Sequence, residues 1–259
     1  TIEVDLRMAF REAMNPPPGP TLIEIPTNVL YHQDDVARQR PGARIYPPDA
    51  LRSGGDPAAI ARALAALAGA ERPLIAAGDG IFWSDAAAEL RAFAAHMQIP
   101  VYTRRAGQGA VPEDDPLAVR GAWKKPFTGR ADVILAVGFK FWSGEHFGQP
   151  PTWNADATYI QVDPVPARIG WHVAADVPIV GDPKLVLRQL LAAAGAERVD
   201  GAHRRGGPWL AEVAATRARF DAALRAQEEA VHGAVPIHPA RLTRELLDVM
   251  DADATLVVD

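Results

Sequence analysis

The chain has 259 residues, 48% hydrophobic and 23% charged, and its 27 basic against 32 acidic side chains give a net charge of −5. That length holds one large domain or one to two ordinary ones, and the composition is that of a globular rather than a disordered protein. The excess of acid argues against bulk attraction to nucleic acid, and the absence of cysteine excludes disulfides, cysteine metal sites and a thiol nucleophile, which suits a cytoplasmic protein.

Residues 1–14, TIEVDLRMAFREAM, place Val4, Met8, Ala9 and Met14 near helical spacing, and NPPPGP ends that helix because proline offers no N–H donor. TLIEIP (21–26) reads as a short strand. The following stretch to Gly55 is rich in Pro, Arg and Asp without periodicity and reads as a linker. Asp56-Pro57 then predicts an N-cap and first helical position, with Ile60, Leu64 and Leu67 on one face. RPLIAAGDG predicts a strand and glycine turn, and Ser84 a cap for a helix carrying Leu90, Phe93, Ala94 and Met97. IPVYT, DVILAVG and ATYIQVD predict three more strands. After an irregular stretch, Asp182-Pro183 predicts the start of the helix KLVLRQLLAAAG.

Short apolar strands alternating with helices predict an α/β domain with a parallel sheet and helices on both faces, from about 56 to 195. Residues 196–206 read as a polar linker. Trp209, Leu210, Val213, Ala214, Phe220 and Leu224 stripe the helix after it, and Pro239 predicts a helix with Leu242, Leu246 and Met250 facing inward. The closing TLVVD predicts the first strand of a further α/β domain. A chain that starts at Thr1 without Met and stops on an apolar strand reads as part of a longer protein. No apolar run reaches the roughly 18 residues of a membrane span.

Several positions could carry chemistry. Gly78-Asp79-Gly80 follows the first strand of the central domain; such glycines let backbone amides approach a phosphate, or simply make a tight turn. Gly138 lies at the carboxyl end of DVILAVG, where open α/β sheets bind ligands, and Lys140 beside it meets an anion or is a solvated lysine. Asp163 at the tip of ATYIQVD accepts from ribose hydroxyls or caps a turn before Pro164. Asp182 is better explained as a helix N-cap. Arg104, Arg105, Arg120, Lys124, Lys125 and Arg130, with Trp123 and Phe127, make 104–130 a basic, aromatic stretch that suits a phosphorylated, stackable ligand or is a solvated loop. Ser53, Ser84 and Ser143 lie in no G-x-S-x-G elbow, Ser143, Glu145 and His146 are too close in sequence for a triad, and the seven histidines show no ligand spacing.

GPTLIEIPTNVL, RPLIAAGDGIFWSDAAAELRAFAAHMQIPVYTRRAGQGAVPEDDP, ADVILAVGFKFW, ATYIQVDPVPARIG, PIVGDP and IHPARLTRELLDVM follow one another in an order that resembles thiamine-diphosphate-dependent enzymes of the acetolactate synthase, oxalyl-CoA decarboxylase and 2-hydroxyacyl-CoA lyase group. The resemblance implies the end of a pyrimidine-binding domain (1–30), a linker (31–55), a Rossmann-like, nucleotide-binding-type central domain (56–195), a linker with a helix (196–235) and the start of a diphosphate-binding domain (236–259). It implies thiamine diphosphate and Mg2+ held outside this chain, and ADP or FAD in the central domain at Gly78, Gly80, Gly138, Lys140, Asp163 and the backbone at Ile179. Asp79 stands where some ADP-binding members have lysine. No catalytic or metal-binding residue is implied within the chain. The implied parent is a homodimer or homotetramer that acts on an acyl-CoA or a 2-keto acid as a C–C lyase or carboligase. The GFKFW…PPTWNADATYIQVD run and the 104–130 stretch point to the acyl-CoA branch, with an FAD-containing acetolactate synthase-like carboligase as the alternative. A nucleotide-binding module without a catalytic role is the alternative of another class.

Overall fold

The computed structural model describes residues 2–16, 18–33, 51–251 and 253–257. It divides into two units, Thr1–Leu210 and Ala211–Asp259.

The first unit is built on a six-stranded parallel sheet in the order β3-β2-β1-β4-β5-β6. Its strands are β1 (Pro73–Ala77), β2 (Val101–Thr103), β3 (Ala118–Val119), β4 (Val133–Val137), β5 (Thr158–Asp163) and β6 (Val177–Val180). All five residues of β1 and all five of β4 are buried, so both faces are covered, as continuous apolar runs in a parallel sheet require. The chain builds outward from β1 to β3 and then returns to place β4 on the other side of β1. The strand order therefore reverses between β1 and β4.

Helices α3 (Pro57–Gly69), α5 (Ala87–Met97) and α7 (Pro183–Glu197) share one face. Leu64, Leu67, Leu90 and Leu190 are wholly buried in that layer, each worth about 2 kcal/mol in transfer from water. The proline-led starts form as the sequence predicts: Asp56 accepts from the Ala59 N–H at 3.0 Å, and Asp182 accepts from the Lys184 and Leu185 N–H groups at 3.0 and 3.2 Å. Ser84 caps nothing. Helix α5 starts after Ala86 without a side-chain cap, and the Ser84 hydroxyl donates instead to Asp182 at 2.8 Å.

The opposite face is aromatic. Phe127, in the short α6 (Lys125–Thr128), stands 5.2 Å from Trp209 near the start of α8 (Pro208–Val231), and the Trp209 indole donates to the Pro73 carbonyl at 2.9 Å. Tyr102, Phe139, Phe141 and Trp153 form a second buried cluster. The stretch read as a linker at 196–206 is tied down. Arg204 is buried and donates to the carbonyls of Leu67, Ala68, Ala70 and Met97, the unsatisfied ends of α3 and α5.

Helix α1 (Ile2–Met14) forms where the 3.6-residue pattern places it. TLIEIP has no regular secondary structure and pairs with no strand among the described residues, and Leu22 stays exposed. A short helix, α2 (Thr27–Leu30), follows, and 34–50 of the expected linker lie outside the described residues. After the glycine turn a short helix, α4 (Asp79–Trp83), intervenes before α5. In the second unit, α9 (Pro239–Val249) forms, but Leu242 and Leu246 are exposed rather than turned inward. Residues 254–257 form no strand, and 258–259 lie outside the described residues.

Candidate functional site

The loops after β1 and β4 meet where the strand order reverses. Gly138 has φ +53°, which disfavours any side chain. A Cβ there would lie 2.4 Å from the Gly80 Cα, and one on Gly78 would lie 2.5 Å from the Gly138 carbonyl oxygen. These glycines let two backbones touch. Their amides are already spent: Gly78 donates to Val137, Gly80 to Gly138, and Gly138 to Val162. The reading in which they offer N–H groups to a phosphate therefore gives way to one in which they shape the floor of a cavity.

That cavity has a volume of about 210 Å³ and lies beyond the carboxyl ends of β1, β4 and β5. Ala13, Met14, Pro16 and Pro18 close one side. Gly80, Gly138, Lys140 and Asp163 from the sequence-derived set line it; Gly78 lies beneath, and Ile179 is not among its walls. The Ile179 side chain is buried in the α3/α7 layer and packs under Gly55, where a Cβ would approach it to 2.5 Å.

Asp163 ends β5 with 3% of its surface exposed. One carboxylate oxygen accepts from the Val165 N–H at 2.8 Å. Burial pushes its carboxyl above the ordinary carboxylate range, against the pull of the Val165 hydrogen bond and the charges of Arg168 and Lys140. Lys140 holds its ammonium 3.7 Å from Asp79 and 5.1 Å above the Trp142 ring. Asp79 also accepts from the Ala106 N–H at 3.2 Å. Asp182 is both the cap of α7 and the partner of Ser84 and of Arg52, whose Nε lies at 3.5 Å. Arg52 also donates to the Ser84 carbonyl at 2.6 Å. Among the described residues, the Arg168 guanidinium makes no hydrogen bond or ion pair. With Lys140 it joins the cavity to a second one of about 90 Å³ lined by Trp142, Trp171 and His172.

A nucleoside with a phosphate fits this donor set: a buried carboxylate at a strand tip for hydroxyls, and Lys140 and Arg168 for an anion. Arg52 and Arg168 were not singled out from the sequence. Arg52 sits in a Pro-, Arg- and Asp-rich run, and Arg168 in an irregular one, where no periodicity marks a side chain that points inward.

Part of the basic, aromatic stretch is taken up within the fold. Trp123 and Phe127 are buried in the core. Arg104 and Lys124 are bound to Glu145, which is 1% exposed and also accepts from the Tyr102 hydroxyl at 2.9 Å. Burial lowers the Lys124 ammonium and raises the Tyr102 hydroxyl from their ordinary values. His146 and Ser143 are exposed. No group of three or more histidine, aspartate or glutamate side chains among the described residues is placed to hold a metal ion.

The sequence profile of the thiamine pyrophosphate enzyme central domain matches residues 60–190. A protein named "Probable acetolactate synthase large subunit" from Methanocaldococcus jannaschii is 38% identical over 194 residues, covering 72% of this chain and 33% of that protein. The 2-hydroxyacyl-CoA lyase 1 of Mus musculus is 30% identical over 186 residues, covering 72% and 32%. Benzoylformate decarboxylase from Polynucleobacter necessarius shares the fold with a TM-score of 0.52 at 23% identity, covering 74% of this chain and 36% of that one. The chain thus spans about a third of the length of the curated relatives it matches.

Proposed function

The chain belongs to the family of thiamine pyrophosphate enzyme central domains, and from that premise we propose that the whole protein is a thiamine-diphosphate-dependent carboligase of the acetolactate synthase type. Its substrate is a 2-keto acid, and the cavity beyond β1, β4 and β5 holds an adenine nucleotide or a related cofactor. The observation that carries the cofactor reading is Asp163, a buried carboxylate at the carboxyl tip of β5, lining the cavity beside the point where the strand order reverses, the position at which such sheets bind ligands. Asp163 would accept from the ribose hydroxyls, and Lys140 and Arg168 would meet the phosphate.

Thiamine diphosphate, when bound with its divalent metal, supplies a stabilised carbanion and an electron sink for C–C bond chemistry. No described residue of this chain is assigned to that step. This part of the protein orders the nucleotide and supports the flanking domains. A homodimer or homotetramer and a cytoplasmic location belong to the same proposal.

The acyl-CoA branch loses one of its two sequence grounds, since the aromatic residues of 104–130 are core and two of its cations are bound to Glu145. A 2-hydroxyacyl-CoA lyase stays as the second reading on the similarity to the mouse enzyme. The test is turnover by the full-length protein. Pyruvate should be converted to acetolactate and CO2 only when thiamine diphosphate and Mg2+ are present. Cleavage of a 2-hydroxyacyl-CoA with no turnover of pyruvate selects the second reading. Turnover of neither leaves the chain a nucleotide-binding module without a catalytic role.

A further inference from the structure

We propose that Arg105, an exposed residue that lines neither cavity, is a positioning residue for Lys140 and so sets how firmly the larger cavity holds a phosphate. The inference rests on the nucleotide reading of that cavity and adds to it a residue outside its walls.

The Lys140 side chain is long and flexible, and two contacts hold its ammonium: the Asp79 carboxylate at 3.7 Å and the Trp142 ring at 5.1 Å. One turn after β2 holds both of these partners. The Arg105 guanidinium lies 5.0 Å from the centre of the Trp142 ring. The N–H of the next residue, Ala106, donates to the other Asp79 oxygen at 3.2 Å. The contacts close a ring, from Arg105 to Trp142, Lys140, Asp79 and back through Ala106.

The turn is itself anchored. Arg104 donates its backbone N–H to the Ala77 carbonyl at 3.0 Å and pairs its side chain with the buried Glu145. On the other side, a Cβ on Gly107 would stand 2.7 Å from the Gly78 carbonyl oxygen, so the turn lies directly on the end of β1. Between these anchors Arg105 takes φ +52°, a left-handed conformation that a glycine adopts freely and an arginine only at a cost. The strained residue is the one that sets its cation on the Trp142 ring. An ammonium held in place beforehand loses less freedom when a phosphate arrives, and the phosphate binds more tightly for it. A cation–π contact at a partly exposed ring corresponds to about threefold in affinity.

The test is calorimetric titration of the full-length protein with adenosine and ADP. Wild type should bind ADP more tightly than adenosine. Arg105→Gly relieves the left-handed backbone, so its melting temperature should stay close to that of wild type while ADP affinity falls about threefold and adenosine affinity holds. Arg105→Lys keeps a cation for the ring and should recover most of the loss. Trp142→Leu should lose at least as much as Arg105→Gly, and the double variant no more than Trp142→Leu alone. The inference is overturned on its own if wild type binds ADP no better than adenosine, if Arg105→Gly binds ADP as wild type does, or if adenosine weakens in step. It is also overturned if the two losses add, which would make Arg105 a distant charge acting without Trp142. Failure of both ligands to bind wild type overturns the nucleotide reading and this inference with it.

Discussion

Gly80 and Gly138 lie in backbone contact: a Cβ added to Gly138 would stand 2.4 Å from the Gly80 Cα. The contact joins the loop after β1 to the loop after β4 and fixes the cavity floor. Gly138→Ala meets both a steric block and an unfavourable φ of +53°. It should lower stability by about 3 kcal/mol, read as a fall in the denaturant midpoint. A glycine serving only ligand approach would tolerate alanine in the unliganded protein.

Asp163 makes stability depend on pH in a defined direction. Its carboxyl is raised above the ordinary 3.8, so the native protein holds a proton there that the unfolded chain releases first. The contribution of this group to stability therefore falls as pH rises from 3.8 through the raised native value, and its charged form at neutral pH is a cost. Asp163→Asn keeps an acceptor for the Val165 N–H. The variant should melt higher than wild type at pH 7, with the difference vanishing below the ordinary carboxyl range, while ligand affinity falls. Equal melting temperatures at pH 7 would contradict the assignment.

Glu145, buried, is the shared counter-charge of Arg104 and Lys124. Glu145→Gln leaves the half-buried Lys124 without its counter-charge and should cost about 3 kcal/mol in chemical unfolding. It should also pull the Lys124 ammonium further below its ordinary value, since Glu145 is the group that opposes the effect of burial there. A loss near zero would mean that the cluster is open to water.

Ser84 and Asp182 are coupled across 98 positions of sequence by a buried hydrogen bond. Ser84→Ala should cost about 1 kcal/mol and Asp182→Ala about 2 kcal/mol, since the second also removes the cap of α7. A double-mutant cycle should show a coupling near the value of the shared bond. Strict additivity would place the Ser84 effect in packing instead.

The parallel sheet was legible because β1, β4 and β5 are long apolar runs ended by Gly or Asp, and because Asp56-Pro57 and Asp182-Pro183 mark helix starts by local chemistry alone. Strand β6 was not, because Pro178 reads as a breaker; it is tolerated on an edge strand, where one side of the backbone needs no partner. Strand β3 has two residues, too few to show a period. Ser84 looked like a cap because Ser precedes a helix, but its partner Asp182 is distant in sequence. Asp163 and Lys140 could be placed by their position after strands. Burial of Trp123 and Phe127, and the pairing of Lys124 with Glu145, depend on tertiary contacts that composition does not encode, so a buried cluster read as a basic surface. Arg204 read as linker for the same reason.

The most direct test of the central claim is the mass of the small molecule released when full-length wild type and Asp163→Ala proteins are denatured under matched conditions. An adenine-containing compound from wild type, lost or much reduced in the variant, is the predicted result. An equal yield from both, or a released ligand without adenine, would contradict the account.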